Sequence, residues 1–224
     1  MIDKRKILFS LRRIQGQVNS LKIPWIEKSR VKLDPYKILI FCVLRLRTKD
    51  KVTEQAFKRL SQKASGVYEM VKISTAEIER LIYPVGFFRS KAKAIHYLSK
   101  ELIEKYEGRV PHRLEELLSL PGVGRKTANL VLSLGYKRPA ICVDTHVHRI
   151  SNRLGWVTTK SPYHTELKLK KLLPKKVWSK LNPLFVAFGQ NICRPLRPLC
   201  NKCRVRNLCL KRGVKYEGTK VKRS

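Results

Sequence analysis

The sequence predicts an all-α fold, and two observations support this. In nearly every segment the apolar residues recur about every 3.6 positions, as they do along one face of a helix. No segment shows sustained alternation of apolar and polar residues, although residues 140–143 would suit a strand by residue type. Of the 224 residues, 43% are hydrophobic, so the chain can bury a core in one large domain or two small lobes.

Helix signals divide the first half of the chain into five segments. The predicted helices cover, in order, residues 3–20, 36–47, a stretch ending at 61, 74–82 and 90–106. Asp50 or Thr53 is expected to cap the third helix and Ser90 to open the fifth, because short polar side chains accept hydrogen bonds from the first turn. Residues 211–224 are too polar and basic to pack, so a flexible basic tail is expected there.

The chain carries an extreme positive charge. It has 50 Lys and Arg residues against 16 Asp and Glu, a net charge of +34. Such an excess indicates a polyanionic partner, with nucleic acid as the default. A membrane is the weaker alternative, since the longest uninterrupted apolar run, residues 38–44, is far shorter than a spanning helix. Residues 193–224 contain eleven Lys or Arg and one acid, so this end should face the polyanion.

Four cysteines near the C-terminus follow the pattern C-x6-C-x2-C-x5-C: Cys193, Cys200, Cys203 and Cys209. Four thiolates within 17 residues can hold an iron–sulfur cluster or a zinc ion, and disulfides are a third interpretation. Zinc ribbons usually present two short C-x2-4-C knuckles, whereas only one such pair occurs here. Nothing near Met1 resembles a secretory signal. The spacing therefore favours a cluster but leaves zinc and disulfides open.

Residues 112–136 predict a helix, a tight hairpin and a second helix. The hairpin residues are Pro121, Gly122, Val123 and Gly124. Both glycines can adopt positive φ without steric strain. We expect the hairpin amides, with the free N–H groups that open the second helix at Arg125, to bind a phosphate. The alternative is an ordinary helix–helix turn, because glycine turns are common, but the net charge favours the phosphate.

Three motifs occur in a fixed order: Leu120–Ala128 (LPGVGRKTA), Val143–Arg149 (VDTHVHR) and the four cysteines. Together they resemble the endonuclease III family of helix–hairpin–helix DNA glycosylases. The similarity extends upstream through residues 47–50 and 85–92, and so covers the chain from about residue 30 to Cys209. Members of that family hold a [4Fe–4S] cluster with the four cysteines, and the resemblance implies the same cofactor here.

The resemblance also implies two helical lobes with a DNA groove between them. One lobe would be continuous over residues 28–138 and contain the hairpin. The other would combine residues 1–27 with 139–224 and carry the cluster at its end. The implied partner is double-stranded DNA with a damaged pyrimidine or an abasic site, bound by a monomer. We expect a prokaryotic cytoplasm, at the nucleoid, or a eukaryotic nucleus, because the basic N-terminal segment contains Asp3 and suits a helix better than a transit peptide.

The implied reaction is that of a bifunctional DNA glycosylase/AP lyase of base excision repair, acting on oxidised pyrimidines. Lys126 matches the family's catalytic lysine, which forms a Schiff base with the sugar and cleaves the strand by β-elimination. Asp144 matches the essential carboxylate, and it would also suit an N-cap for a helix beginning near Thr145. Two alternatives are a mismatch glycosylase of the same superfamily and a non-catalytic DNA-binding protein whose cluster senses redox state.

Other side chains are expected to contact DNA or shape the pocket. Arg47 stands where many relatives have glutamine, and it could fill the gap left by a flipped base. Phe87 matches an apolar wedge position, with core packing as the alternative. Arg45 stands where relatives have serine, and it either alters the pocket's polarity or pairs with Asp50. The remaining candidates are His146 and two loop arginines, Arg194 and Arg197.

Overall fold

Residues 3–19, 21 and 34–214 are described by the computed structural model of the protein, and their regular structure is helical throughout. In chain order the α-helices are α1 (Lys4–Val18), α2 (Pro35–Arg45), α3 (Asp50–Lys63), α4 (Val67–Met70), α5 (Thr75–Ile82), α6 (Phe88–Tyr106), α7 (Leu114–Ser119), α8 (Arg125–Leu130), α9 (Thr145–Leu154), α10 (Pro162–Leu172) and α11 (Trp178–Asn191). Helix α8 continues as a π-helix over Val131–Gly135, and 3-10 turns cover Lys175–Val177, Cys200–Lys202 and Arg206–Leu208. These described ranges contain no strand, and residues 140–143 form a buried irregular segment. The all-α prediction is confirmed.

The helices form two compact units. The first takes the residues up to 28 and from Ile141 onward, and the second takes residues 29 to Ala140. In the first unit α1 and α9 pack against α11. The apolar stripe of α1 supplies Ile7 and Ile14 to a core centred on Phe185 and Phe188, all at most 1% exposed. The apolar residues of α1, which recur about every 3.6 positions, therefore predict the face of this helix that packs against α11.

Helix α2 is the central helix of the second unit. Each of its residues 38–44 is at most 6% exposed, because α3, α6 and the π-helical end of α8 all pack around it. Gly135 permits this close packing, since a Cβ there would lie 3.1 Å from the Cα of Pro35. Helix α8, which follows the hairpin, is thus packed directly against the core of the second unit.

Two of the predicted helix starts differ from the structure in how they are capped. Helix α3 begins at Asp50, but its N-cap is Lys49, without a side-chain cap bond. Asp50 pairs with Arg45 instead, at 3.0 Å between Oδ1 and Nε. Helix α6 begins at Phe88 rather than at Ser90, after Phe87 in a left-handed conformation. In both places tertiary contacts override the local preference for a capping side chain.

The beginning of the expected flexible tail makes hydrogen bonds to the rest of the chain. Arg212 donates from its backbone N–H to Arg153 O at 3.4 Å and from its guanidinium to the Thr158 hydroxyl, so residues 211–214 are attached to the first unit. The rest of the predicted tail lies outside the described residues. Within the described part of the chain, none of the helices has the length and apolar character needed to cross a membrane.

Candidate functional site

The hairpin between α7 and α8 is held by buried apolar residues and leaves its glycines exposed. Leu120 and Val123 are 3% and 6% exposed, and Val123 N donates to Leu120 O at 3.1 Å. Gly122 has φ +73°, where a side chain would be strained, but Gly124 has φ −83°. A Cβ at Gly124 would meet no atom of the protein within 4 Å. The fold therefore does not require glycine at 124, which leaves room for a ligand to approach the backbone.

Lys126 is exposed in the first turn of α8, two residues after Gly124. Its charge is close enough to affect the buried thiol of Cys42 in α2. Burial raises the pKa of Cys42 to about 11, and the positive charges of Lys126 and Arg45 partly oppose this rise. The amine is thus presented at the surface of α8, close in the chain to the open backbone of Gly124.

Asp144 is the N-cap of α9. Its Oδ1 accepts a hydrogen bond from Val147 N at 2.8 Å, and its side chain is half-buried. The helix begins at Thr145, so the capping role proposed from sequence is confirmed. Lys126 and Asp144 belong to different units of the fold.

The two histidines of the same motif have separate environments. His146 Nδ1 lies 3.2 Å from Arg149 Nη2, and a Cβ at Gly189 would approach this nitrogen to 2.3 Å. His148 Nδ1 lies 2.6 Å from the Thr165 hydroxyl. His146 therefore packs tightly against α11, while His148 contacts α10.

All four C-terminal cysteines line one apolar cavity, together with residues such as Phe188, Ile192 and Val205. The thiols are free, and burial raises the pKa of Cys203 to about 11. Two sulfurs accept N–H donors: Cys193 from Arg153 Nη1 at 3.5 Å and Cys209 from Lys211 N at 3.3 Å. In the described residues, no three His, Cys, Asp or Glu side chains converge as a single metal ion would need.

The loop between Cys193 and Cys200 presents Arg194 and Arg197 to solvent. Arg153 holds this loop from α9. It is 6% exposed and donates to Arg194 O at 2.6 Å and to Pro195 O at 2.7 Å. Sequence reasoning missed Arg153, because no local signal distinguishes one arginine among 50 basic residues.

Arg47 and Phe87 lie at the tips of two neighbouring loops in the second unit. Phe87 is 62% exposed, so core packing is the wrong interpretation for this side chain. The Arg47 guanidinium stacks over its ring, 5.6 Å from the centroid. Arg45 is not part of this stacked pair, because its guanidinium pairs with Asp50 at 3.0 Å. The loop tips therefore present a cation stacked on an aromatic ring.

Comparison with known proteins connects these features. A family model described as HhH-GPD superfamily base excision DNA repair protein matches residues 40–175. The chain is 50% identical to endonuclease III of Thermotoga maritima over 182 residues, which cover 81% of this chain and 85% of the relative. It is 44% identical to endonuclease III homolog 1, chloroplastic, of Arabidopsis thaliana over 183 residues, 78% of this chain but 48% of that longer protein.

Among solved structures, a trapped endonuclease III–DNA covalent intermediate matches with a TM-score of 0.84 and 35% identity, covering 94% of this chain and 97% of that one. Similarity of this extent and identity shows the family as well as the fold. The chain therefore belongs to the endonuclease III family of the HhH-GPD superfamily, the DNA glycosylases with AP lyase activity that act in base excision repair.

Proposed function

We propose that this protein excises oxidised pyrimidines from duplex DNA and then cleaves the strand at the resulting abasic site. The observation that carries the proposal is an exposed amine, that of Lys126, in the first turn of α8 beside the open backbone of Gly124. A phosphate bound by the backbone N–H groups of Gly122, Gly124 and Arg125 would fix the sugar within reach of that amine.

In the proposed reaction the damaged base is first flipped out of the duplex. The Lys126 amine attacks C1′ while the bond from C1′ to the base breaks, and the base leaves with the bonding electrons. The nitrogen loses a proton and the sugar ring opens, which gives a protonated Schiff base. Removal of a C2′ proton then expels the 3′ phosphate oxygen by β-elimination, and water releases the sugar fragment from the lysine.

Asp144 is proposed as the carboxylate that activates the amine or stabilises positive charge on the sugar. One of its oxygens is fixed by the Val147 N–H, so the side chain is held in a single orientation. Such positioned acid–base groups typically contribute 10²–10⁴-fold. Capping and catalysis are compatible, because the cap bond orients the carboxylate that the reaction uses.

Arg47 and Phe87 are proposed to fill the space that the flipped base leaves. A stacked guanidinium and an exposed aromatic ring can both pack between bases. His146, by contrast, is held against Arg149 and Gly189, so its proposed DNA contact would occur through its outer edge. Arg45 and Arg47 differ from the residues that many family members have at these positions. Arg47 belongs to the proposed wedge and Arg45 pairs with Asp50, so the two differences are proposed to affect base preference rather than the reaction class.

The endonuclease III family carries a [4Fe–4S] cluster, and Cys193, Cys200, Cys203 and Cys209 are proposed to hold one here. The donor set fits, because four free thiols line one apolar cavity. The raised pKa of Cys203 means that metal binding must displace the thiol protons. When bound, the cluster would supply a structural crosslink for the loop that carries Arg194 and Arg197, which are proposed phosphate contacts.

Loss of one cluster ligand should remove the iron. The purified protein is expected to be yellow-brown and to contain iron and sulfide at about four each per chain. Cys203→Ala should lose most of this iron, whereas Cys142→Ala, a change at a buried cysteine outside the cavity, should retain it. Iron, sulfide and zinc analysis of anaerobically purified protein provides the measurement. Stoichiometric zinc in place of iron would contradict the assignment.

A substrate panel tests the proposed function itself. Duplexes containing thymine glycol, oxidised cytosine or an abasic site should be cut, and those containing uracil or oxidised guanine should react much more slowly. Borohydride should trap a covalent complex with each good substrate, because it reduces the Schiff base. Preference for a mismatched base would favour the mismatch alternative. Tight DNA binding without any trapping would favour the non-catalytic one.

We also propose that the protein binds duplex DNA as a monomer. It is expected to work where genomic DNA lies, the cytoplasm of a prokaryote or the nucleus of a eukaryote. The net charge of +34 supports attraction to the phosphate backbone.

A further inference from the structure

Lys91 joins the two loops that carry Arg47 and Phe87. It is 6% exposed, and its ammonium donates to the carbonyl oxygens of Leu44 and Leu46 and, at 3.0 Å, to the Thr48 hydroxyl oxygen. The same hydroxyl oxygen accepts a hydrogen bond from Gly86 N at 3.2 Å, across to the second loop.

The end of α2 explains why a lysine suits this junction. The last carbonyl groups of a helix have no partners within the helix, and a cation is favoured at this end. Lysine is long enough to reach them and carries three donor hydrogens for three acceptors. All three acceptors are uncharged, and burial lowers the pKa of Lys91 to about 8. Keeping a desolvated ammonium here is unfavourable unless all of its hydrogen bonds form.

The junction holds both loop tips in strained conformations. Arg47 has φ 50° and Phe87 has φ 59°, in the left-handed region that side chains disfavour. The loops are so close that a Cβ at Gly86 would lie 2.8 Å from Arg47 O. Conformations of this kind persist only where the surrounding structure determines them, and they concentrate at functional sites.

We infer that Lys91 is a positioning residue that acts through Thr48 and Gly86 to assemble Arg47 and Phe87 into a single wedge before DNA binds. This inference rests on the proposed function, in which the two side chains enter the gap left by the flipped base. Preassembly reduces the conformational freedom that is lost on binding. Because a gap exists only where a strand is paired, Lys91 matters for duplex substrates and not for abasic sites in single strands.

Comparison of duplex and single-stranded abasic DNA tests the inference. Lys91→Met removes the donors and keeps an unbranched side chain that is one atom shorter, and Thr48→Val removes only the bridging hydroxyl. In single-turnover borohydride trapping, Lys91→Met should slow the duplex reaction roughly tenfold or more, as expected for misplaced groups, and leave the single-strand reaction within about twofold. Thr48→Val should shift the ratio in the same direction by a smaller factor, and it decides the question if Lys91→Met does not fold.

The matched control is Tyr36→Phe, at the opposite end of α2. It removes a buried hydrogen bond of 2.7 Å to Ser99 in the same unit without touching the junction. This variant should keep the wild-type ratio of duplex to single-strand rates. Equal losses on both substrates in Lys91→Met, or no loss on either, would overturn the inference. A wild-type protein that traps neither substrate would instead overturn the proposed function.

A second measurement reports on the gap directly. The base opposite an abasic-site analogue is replaced by 2-aminopurine, whose fluorescence changes when its stacking changes. The complex of Phe87→Ala should differ in fluorescence from the wild-type complex. The double variant should differ little from Lys91→Met alone, because the wedge is already displaced in Lys91→Met. Fully additive effects of the two substitutions would show that Lys91 does not act through Phe87.

Discussion

Replacing Lys126 with alanine is expected to abolish borohydride trapping, base release and strand cleavage together. In the proposed reaction all three depend on one amine, which attacks C1′ and remains bound to the sugar until β-elimination is complete. The fold should be unaffected, because the side chain is exposed and alanine is the best helix former. Single-turnover assays on a thymine glycol duplex, with trapping on an abasic duplex, measure the loss.

Lys58→Ala is the matched control for Lys126→Ala. Lys58 is an exposed lysine on α3 of the same unit, so its removal lowers the net charge equally without touching the hairpin. Both variants should bind an abasic duplex with nearly wild-type affinity, since each loses one of 50 basic residues. Undiminished trapping by Lys126→Ala would show that another residue is the nucleophile.

Asp144→Asn should slow base removal by roughly 10²–10⁴-fold, the range for a positioned acid–base group. Asparagine is as good an N-cap as aspartate, so α9 should retain its first turn and the free energy of unfolding should change little. Single-turnover base release and thermal unfolding of the same preparations separate the two roles.

Asp144→Ala provides the comparison, because it removes both the carboxylate and the cap. It should show the same slow base release and, in addition, a loss of stability of about 1 kcal/mol. If Asp144→Asn retains wild-type activity, the role of this residue is limited to capping α9.

Patterns that act within one segment allowed much of the fold to be predicted from sequence. The stripe of α1, the start of α9 at Thr145 and the short helix α5 near residues 74–82 depend on neighbours within a few positions, and the structure has all three. The left-handed Phe87 before α6 was not predictable, because contacts with a loop 40 positions earlier in the chain determine it.

The candidate functional site was likewise predictable only where a local pattern marks its residues. The hairpin and the cysteines are recognisable because their residue types and spacing are unusual. Lys91 and Arg153 are ordinary basic residues in the sequence, and only the carbonyl oxygens around them show their roles. In a chain with 50 Lys and Arg residues, composition conceals the few cations that are buried.

The different environments of Gly122 and Gly124 affect how sequence variants of this protein should be judged. An alanine at Gly122 enters a left-handed backbone position, so a screen based on folding or expression would detect the damage. An alanine at Gly124 contacts nothing in the protein, and the variant would pass the same screen as a normal, soluble protein. Under the proposed function its defect would emerge only when DNA is added, since the added methyl group would occupy space proposed for a DNA phosphate.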